Sequence, residues 1–213
     1  MNKKTVDPTN VREHNLSQII KRIRAERSIS RASLARATGL SATTISSIAS
    51  ELLKSGYVAE TGEGKSSGGR RPILLAFQPD QKMVIGIDLG ASHITTALTN
   101  LQGNIKVIQS KKFNASEDPE GAIEYIRQQV KTLLHHQSVG PNGVLGIGIA
   151  APAPLEGEKL DMLSPVILPQ WEGIQLVEKI EAASGLPVYI DNDANVGAIA
   201  EKWWGSGRGV SNL

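Results

Sequence analysis

The segment 31–48, RASLARATGLSATTISSI, limits the fold of the N-terminal part more than any other stretch of the chain. Ala35 suits a point where two helices touch, and Gly39, four residues later, suits a left-handed turn that a side chain would oppose. Ile45 and Ile48 follow at helical spacing and would form the buried side of the second helix. The pattern predicts a helix-turn-helix; the alternative is an ordinary helical hairpin, which also favours a glycine turn.

Three helices are predicted around this motif. The first covers about 11–26, with Asn10 as its N-cap and Glu13 completing a capping box. The second begins after Ser30 and ends before Gly39, and the third begins after Ser41 and stops at Gly56. The third helix has an apolar stripe at helical spacing, which consists of Ile45, Ile48, Leu52 and Leu53.

A β-hairpin is predicted directly after the third helix. Two apolar segments, 57–60 and 73–77, flank the Gly/Ser/basic stretch 62–71, GEGKSSGGRR. A helix-turn-helix followed by such a hairpin makes a winged helix. An arginine between glycine and proline, as in Gly69-Arg70-Arg71-Pro72, can lie in a narrow A·T-rich minor groove. The alternative for these residues is a solvated loop tip.

The charge of the chain is divided unevenly along its length. Residues 1–75 contain 13 Lys/Arg against 6 Asp/Glu, whereas residues 76–213 contain 10 against 15. A basic N-terminal part on an acidic remainder favours a polyanionic partner for the basic part, and the helix-turn-helix makes double-stranded DNA the expected one.

The start of the third helix would lie in the major groove of an operator. Its short hydroxyls and methyls can contact thymine methyls or form single hydrogen bonds, but they give no bidentate base contact. Arg31 and neighbouring cations would then supply much of the affinity through phosphates, although any one of them could be a solvated surface charge. The predicted DNA-binding residues are Arg31, Ser41, Ala42, Thr43, Thr44, Ser46, Ser47, Gly69, Arg70 and Arg71.

The pattern changes near residue 80, after the linker-like QPDQ at 78–81. We therefore predict two domains, 1–80 (the head) and 81–213 (the body). Three strand-like runs followed by alternating helices and strands indicate an α/β body. The predicted strands are 83–88, 94–99, 105–111, 144–150 and 188–191, and the predicted helices are about 119–136, 174–183 and 194–204.

Two motifs in the body suggest ligand chemistry. Asp88, Gly90 and Ser92 follow a strand as D-x-G-x-S, in which backbone N–H groups can hold a phosphate and the carboxylate can orient metal-bound water. This signal is weak, because any tight hairpin after a buried strand looks similar. The cluster DNDAN at 191–195 can hold several sugar hydroxyls, with one aspartate as general base. Its alternative is simple capping of the next helix by Asn192 or Asp193.

With these motifs the chain resembles the ROK family of repressors and sugar kinases, in its xylose-repressor-like branch. The resemblance covers about 11–213 and is carried by SGGRRP, IGIDLGASHI, GIGIAAPAP, SPVILPQWEG and LPVYIDNDANVGAIAEKWWGSGRG. It implies an actin/hexokinase-like, ribonuclease-H-like ATPase fold for the body. It further implies that Asn192 and Asp193 contact sugar hydroxyls, that Asp193 takes the position of the kinase base, and that Asp88 and Gly90 belong to the phosphate loop.

Some residues depart from the pattern of the family's kinases. Those kinases usually have Pro-Gly where this chain has Pro152-Ala153, and often Asn and Gly where it has Ile167 and Gln170. The family also continues past the position of residue 213 into a second lobe with an adenosine site and a Cys/His zinc motif. We therefore expect the winged helix and the first lobe only, with no catalysis, no cofactor and no metal.

The expected function is a transcriptional regulator, a repressor of sugar-utilisation genes whose effector is a small pentose or hexose. The full-length form is expected to be a homodimer at a palindromic operator. An ATP-dependent sugar kinase with an accessory DNA-binding head is the alternative, and a partial gene product without function is a third possibility. The chain has no cysteine and no apolar run near the roughly 20 residues that span a bilayer, so a cytoplasmic location without membrane contact is expected.

Overall fold

A computed structural model describes residues 8–64, 71–140, 143–152, 154–156, 162–163, 167–208 and 210. The chain divides into two compact units, with the boundary between Pro79 and Asp80. No helix in these described ranges is both long and apolar enough to cross a membrane.

The head is a winged helix with three helices and a small antiparallel sheet. The first helix begins at Pro8, so the predicted N-cap at Asn10 is wrong. Proline suits a first helical position because its φ is already helical and its missing N–H would have no partner there. The elements of the head are α1 (Pro8–Ala25), β1 (Ile29–Ser30), α2 (Arg31–Thr38), α3 (Ala42–Lys54), β2 (Val58–Glu63) and β3 (Ile73–Phe77).

The turn between α2 and α3 forms as the sequence predicts. Ser30 caps α2, because its Oγ accepts a hydrogen bond from the backbone N–H of Ser33 at 3.1 Å. Gly39 ends α2 with a φ of 71°, and its N–H donates to the Ala35 carbonyl at 2.9 Å. Glycine favours this conformation since it has no Cβ to oppose a left-handed φ.

The core of the head closes around one side of α3. Ile45, Ile48 and Leu52 are buried as predicted, Ala49 joins them, and Leu53 is only half-buried. The other helices and the sheet cover this stripe with Ile19, Ile23, Leu34 and Leu75. The sheet has the order β1-β3-β2, and the pairing of β1 with β3 was not predicted, since two residues show no alternation.

The body contains a five-stranded mixed sheet in the order β10-β7-β4-β5-β6. Strands β10, β7 and β4 are parallel, while β5 and β6 continue antiparallel. Its elements are β4 (Met83–Leu89), β5 (His93–Asn100), β6 (Ile105–Lys112), α4 (Pro119–Leu134), β7 (Val144–Ala151), β8 (Leu155–Glu156), β9 (Met162–Leu163), α5 (Leu176–Ser184), β10 (Val188–Asn192) and α6 (Asp193–Trp204). Strands β8 and β9 pair separately, and short 3-10 turns cover Pro79–Gln81 and Pro169–Trp171.

The core of the body lies where α4 and α5 pack on one side of this sheet. Ile85 and Ile147 from the central strands join Ile126 of α4 and Ile180 of α5 in one buried cluster. The fully buried Trp171 belongs to it, and its Nε1–H donates to the Ala115 carbonyl at 2.7 Å. Because β4, β7 and β10 are parallel, their carboxyl ends meet at one edge of the sheet, where α/β domains commonly bind ligands.

Candidate functional site

The outer side of α3 presents a row of short polar side chains opposite the buried stripe. Ser41, Ala42, Thr43, Ser46 and Ser47 are exposed, and Thr44 is half-buried. This separation follows from the helical period, because the buried isoleucines and the exposed hydroxyls occupy opposite sides of the same helix. The surface formed by 41–47 is called the α3 face below.

The hydroxyls at the start of α3 bond to one another and to the helix end. The Ser41 Oγ accepts from the Thr44 N–H at 3.1 Å and lies 2.7 Å from Thr43 Oγ1 and 2.9 Å from Thr44 Oγ1. Ser41 is thus the N-cap of α3. Since each hydroxyl has a donor and two acceptor positions, the exposed ones keep hydrogen-bonding capacity for a partner.

The cations predicted to contact phosphates form ion pairs within the head. An Arg31 Nη2 lies 3.2 Å from Glu60 Oε1, and an Arg71 Nη1 lies 3.9 Å from Glu63 Oε2. All four side chains are at least partly exposed, so each pair is worth less than about 1 kcal/mol and can exchange for a phosphate. Glu60 was missed by the sequence reasoning, because its contact depends on the pairing of β2. Gly69 and Arg70 lie outside the described residues.

At the carboxyl edge of the body's sheet, two aspartates lie in one row of paired residues that runs across three strands. Asp88 of β4 pairs with Ala150 of β7, which in turn pairs with Asp191 of β10. Adjacent strands are about 4.8 Å apart, so the two aspartate Cα atoms lie about 10 Å apart with side chains on the same face. The residue between them, Ala150, has only a small side chain. Asp191 had no separate role in the sequence prediction, although its place at the end of a strand parallel to β4 is a signal that could have assigned one.

The DNDAN cluster lies at the junction of β10 and α6. Asn192 caps α6, because its Oδ1 accepts from the Ala194 N–H at 3.0 Å, so the capping interpretation applies to this residue. Asp193 is the first helical residue and is exposed. Asp191 Oδ1 accepts from the Asn192 N–H at 2.7 Å and from Asn195 Nδ2 at 2.9 Å, which fixes the direction of its carboxylate.

The predicted phosphate loop is the tight turn between β4 and β5. The Gly90 N–H donates to the His93 carbonyl at 2.9 Å, and Ser92 is exposed. The His93 Nε2 lies 3.1 Å from Asp88 Oδ2. Sequence reasoning missed His93, whose position three residues after a turn glycine is a signal that could have found it. Among the described residues, no group of three or more His, Asp or Glu side chains is placed to hold a metal ion.

Comparison with known proteins agrees with this architecture. Residues 84–213 match the family model of the ROK family, and residues 12–59 match that of winged helix-turn-helix DNA-binding domains. A crystal structure of a ROK family transcriptional regulator, a homologue of the E. coli MLC protein, superposes with a TM-score of 0.69 at 24% identity. That superposition covers 91% of this chain and 49% of the other, and it shows the fold: a winged helix and the first lobe of an actin-like domain.

Two curated relatives match different shares of the chain. A xylose repressor of Caldicellulosiruptor bescii is 36% identical over 205 residues, which cover 96% of this chain and 51% of the repressor. A glucokinase of Halalkalibacterium halodurans is 30% identical over 135 residues, which cover 61% of this chain and 39% of the kinase. The chain thus spans about half the length of the repressor that it matches. Because the family model covers more than half of its residues, the chain belongs to the ROK family.

Proposed function

We propose that the chain is a sequence-specific DNA-binding regulator, a repressor of sugar-utilisation genes whose DNA binding responds to a small sugar. The observation that carries this proposal is the α3 face, which presents exposed hydroxyls on the outside of a winged helix with excess positive charge. A helix with this surface suits the major groove, where threonine methyls and serine hydroxyls contact base edges.

The remaining head residues would position α3 on the duplex. Arg31 at the start of α2 and Arg71 at the base of the wing can exchange their glutamate partners for phosphates, while Gly69 and Arg70 would reach the adjacent minor groove. Contacts of this kind give affinity that falls with salt, whereas the α3 face supplies discrimination between sequences. A homodimer would place two such heads about 34–36 Å apart on a palindrome.

In the body, the carboxyl edge is the proposed sugar site. Asn192 and Asp193 provide amide and carboxylate groups, and the Asp88–Ala150–Asp191 row adds two more carboxylates. Neutral polyols suit such a site, because each hydroxyl can donate to a carboxylate oxygen. The name of the related repressor makes xylose the first pentose to test, with glucose as the hexose control.

A sugar kinase is the second candidate, favoured by the glucokinase relative and by Asp193 at the position of the kinase base. That relative matches 61% of this chain, whereas the repressor matches 96%. Sugar-dependent release of ADP from ATP by the purified chain, lost in Asp193→Asn, would favour the kinase.

DNase I footprinting of the DNA upstream of the chain's own gene tests the proposal. We expect one protected palindromic site, weakened or strengthened by a single sugar from a panel of pentoses and hexoses. Scrambled DNA of the same composition is the control. Equal protection of both DNAs would contradict sequence-specific binding, and a site insensitive to every sugar would contradict the sugar-responsive part alone.

A further inference from the structure

The turn between β4 and β5 is built around the imidazole of His93. Gly90 is buried although it belongs to a surface hairpin, because the ring covers it. A Cβ added at Gly90 would lie 2.3 Å from Cε1 and 2.5 Å from Nδ1 of His93. No real Cβ approaches ring atoms so closely, so any side chain at this position would displace the imidazole.

His93 also contacts the polar groups of the same turn. Its Nε2 lies 3.1 Å from the Asp88 carboxylate, and its carbonyl accepts the Gly90 N–H at 2.9 Å. A phosphate loop offers the same features to its ligand: a glycine that permits close approach, a free backbone N–H and a carboxylate for metal-bound water. In this chain one residue already engages all three.

We propose that His93 occupies the phosphate loop of the body, so that Gly90 accommodates an imidazole rather than a nucleotide phosphate. The residues present do not fit a bound phosphate while the ring is in place. His93 is thus a specificity-determining residue that weakens phosphate binding at this turn, and this inference is independent of DNA binding.

The exposure of the contact determines how strong this exclusion is. The side chains of His93 and Asp88 are 46% and 52% exposed, so their pairing is a surface interaction and is weak. We therefore expect the imidazole to lower phosphate affinity by a moderate factor rather than to abolish binding. Removing the ring frees the glycine surface and the carboxylate together, and the gain should be about tenfold, as expected for the loss of one or two modest contacts.

Calorimetric titration of the chain with magnesium pyrophosphate tests the exclusion directly. We expect His93→Ala to bind about tenfold more tightly than the wild type. His135→Ala is the matched control, because it removes an exposed imidazole directly after α4 of the same unit, and its affinity should equal the wild type's. Equal affinity of the wild type and His93→Ala, or no binding by His93→Ala, would overturn the proposal.

A double-variant cycle tests the packing independently of any ligand. Gly90→Ala should lower the Tm of the body by no more than about 3 °C, because the new Cβ expels an imidazole whose contact with Asp88 is a weak surface interaction. The same substitution in the His93→Ala background should lower the Tm by much less. If Gly90→Ala alone does not fold, recovery of folded protein in the double variant supports the same packing. Equal losses in both backgrounds, or a double variant that also fails to fold, would show that Gly90 is required for another reason.

Discussion

Two helices, α3 in the head and α6 in the body, begin with the same kind of cap but differ in how many of their side chains are buried. Ser41 caps α3 and Asn192 caps α6 through side-chain oxygens that accept backbone N–H groups at 3.1 and 3.0 Å. Yet α3 buries four residues, whereas α6 has no buried side chain among the described residues. The large apolar side chains of α6 that remain exposed are Ile199, Trp203 and Trp204.

This difference shows that the start of a helix and the burial of its side chains have separate causes. A cap is a local contact within a few residues, so the sequence near the helix start is sufficient to encode it. Burial depends on other elements, and around α3 these are α1, α2 and β3, which close over the apolar stripe. Because that stripe is fully covered, the opposite α3 face can be assigned to a partner by elimination; the same argument does not apply to α6.

The largest expected effect comes from the buried side of α3. Ile48→Ala should lower the free energy of unfolding of the head by about 2–5 kcal/mol, since it removes three carbon atoms from a closed core. Ile199→Ala on α6 should change the stability of the body by less than about 0.5 kcal/mol, because its side chain is 52% exposed. Urea denaturation followed by circular dichroism measures both changes. Equal losses of stability in the two variants would contradict the difference in burial between α3 and α6.

The turn before α3 should show a smaller effect that arises from the backbone alone. Gly39 has a φ of 71° and open space where a Cβ would stand, so Gly39→Ala introduces no clash. The left-handed conformation should still cost about 1–2 kcal/mol of head stability. Gly148→Ala in the body, also in open space but without a positive φ, serves as the control and should cost less. If Gly39→Ala left the stability of the head unchanged, this would contradict the assigned left-handed turn.

The two caps should differ less than the two helix surfaces do. Ser41→Ala should lower local stability by about 1 kcal/mol, because it removes the acceptor for the Thr44 N–H. Asn192→Ala should cost less, because the Ala194 N–H also donates to Asp193 Oδ1 at 2.7 Å. Hydrogen exchange at the first turns of α3 and α6 reports the two losses separately. Ser47→Ala, on the α3 face but outside the cap, should leave exchange unchanged. A cap that matters for α3 alone would mean that α6 is held by other contacts.

The smallest effect concerns a local contact that depends on charge. The hydrogen bond from Asn100 Nδ2, and then Lys106, lower the pKa of Asp80 below its ordinary value. A lowered folded-state pKa stabilises the body above the unfolded pKa, and this contribution is lost as pH falls through the folded pKa. Asp80→Asn should therefore cost less than about 1 kcal/mol at pH 6, because Asp80 is 61% exposed, and progressively less as the pH falls below the unfolded pKa. A constant difference across pH would exclude the ionic origin.

How far the sequence predicts this molecule depends on the range of each contact. The helix-turn-helix, the hairpin and the five main strands follow from periodicity and turn residues, and the α3 face follows from the same period that predicts its buried stripe. Two-residue strands such as β1 show no alternation. The start of α1 was misplaced because Asn10 and Glu13 match a capping box, whereas Pro8 extends the helix toward the N-terminus.

Contacts between distant residues were the ones that the sequence reasoning did not supply. The Arg31–Glu60 pair requires the register of the wing, and the Asp88–Ala150–Asp191 row requires the order of three parallel strands. The cover that His93 places over Gly90 depends on the backbone geometry of one turn. In each case the residue types were visible, but their juxtaposition was fixed only by tertiary structure.

Fluorescence-anisotropy titration at two salt concentrations tests the central claim, that the α3 face reads DNA sequence, most directly. The wild type should bind a duplex from its own upstream region more tightly than a scrambled duplex. The variant Thr43→Ala/Ser46→Ala/Ser47→Ala removes three exposed hydroxyls that lie outside the core. It should lose about tenfold or more of its affinity for the specific duplex, at about 0.5–1.5 kcal/mol per hydrogen bond, while its salt-dependent binding to scrambled DNA stays unchanged. Equal losses on both duplexes, or no loss on either, would contradict the account.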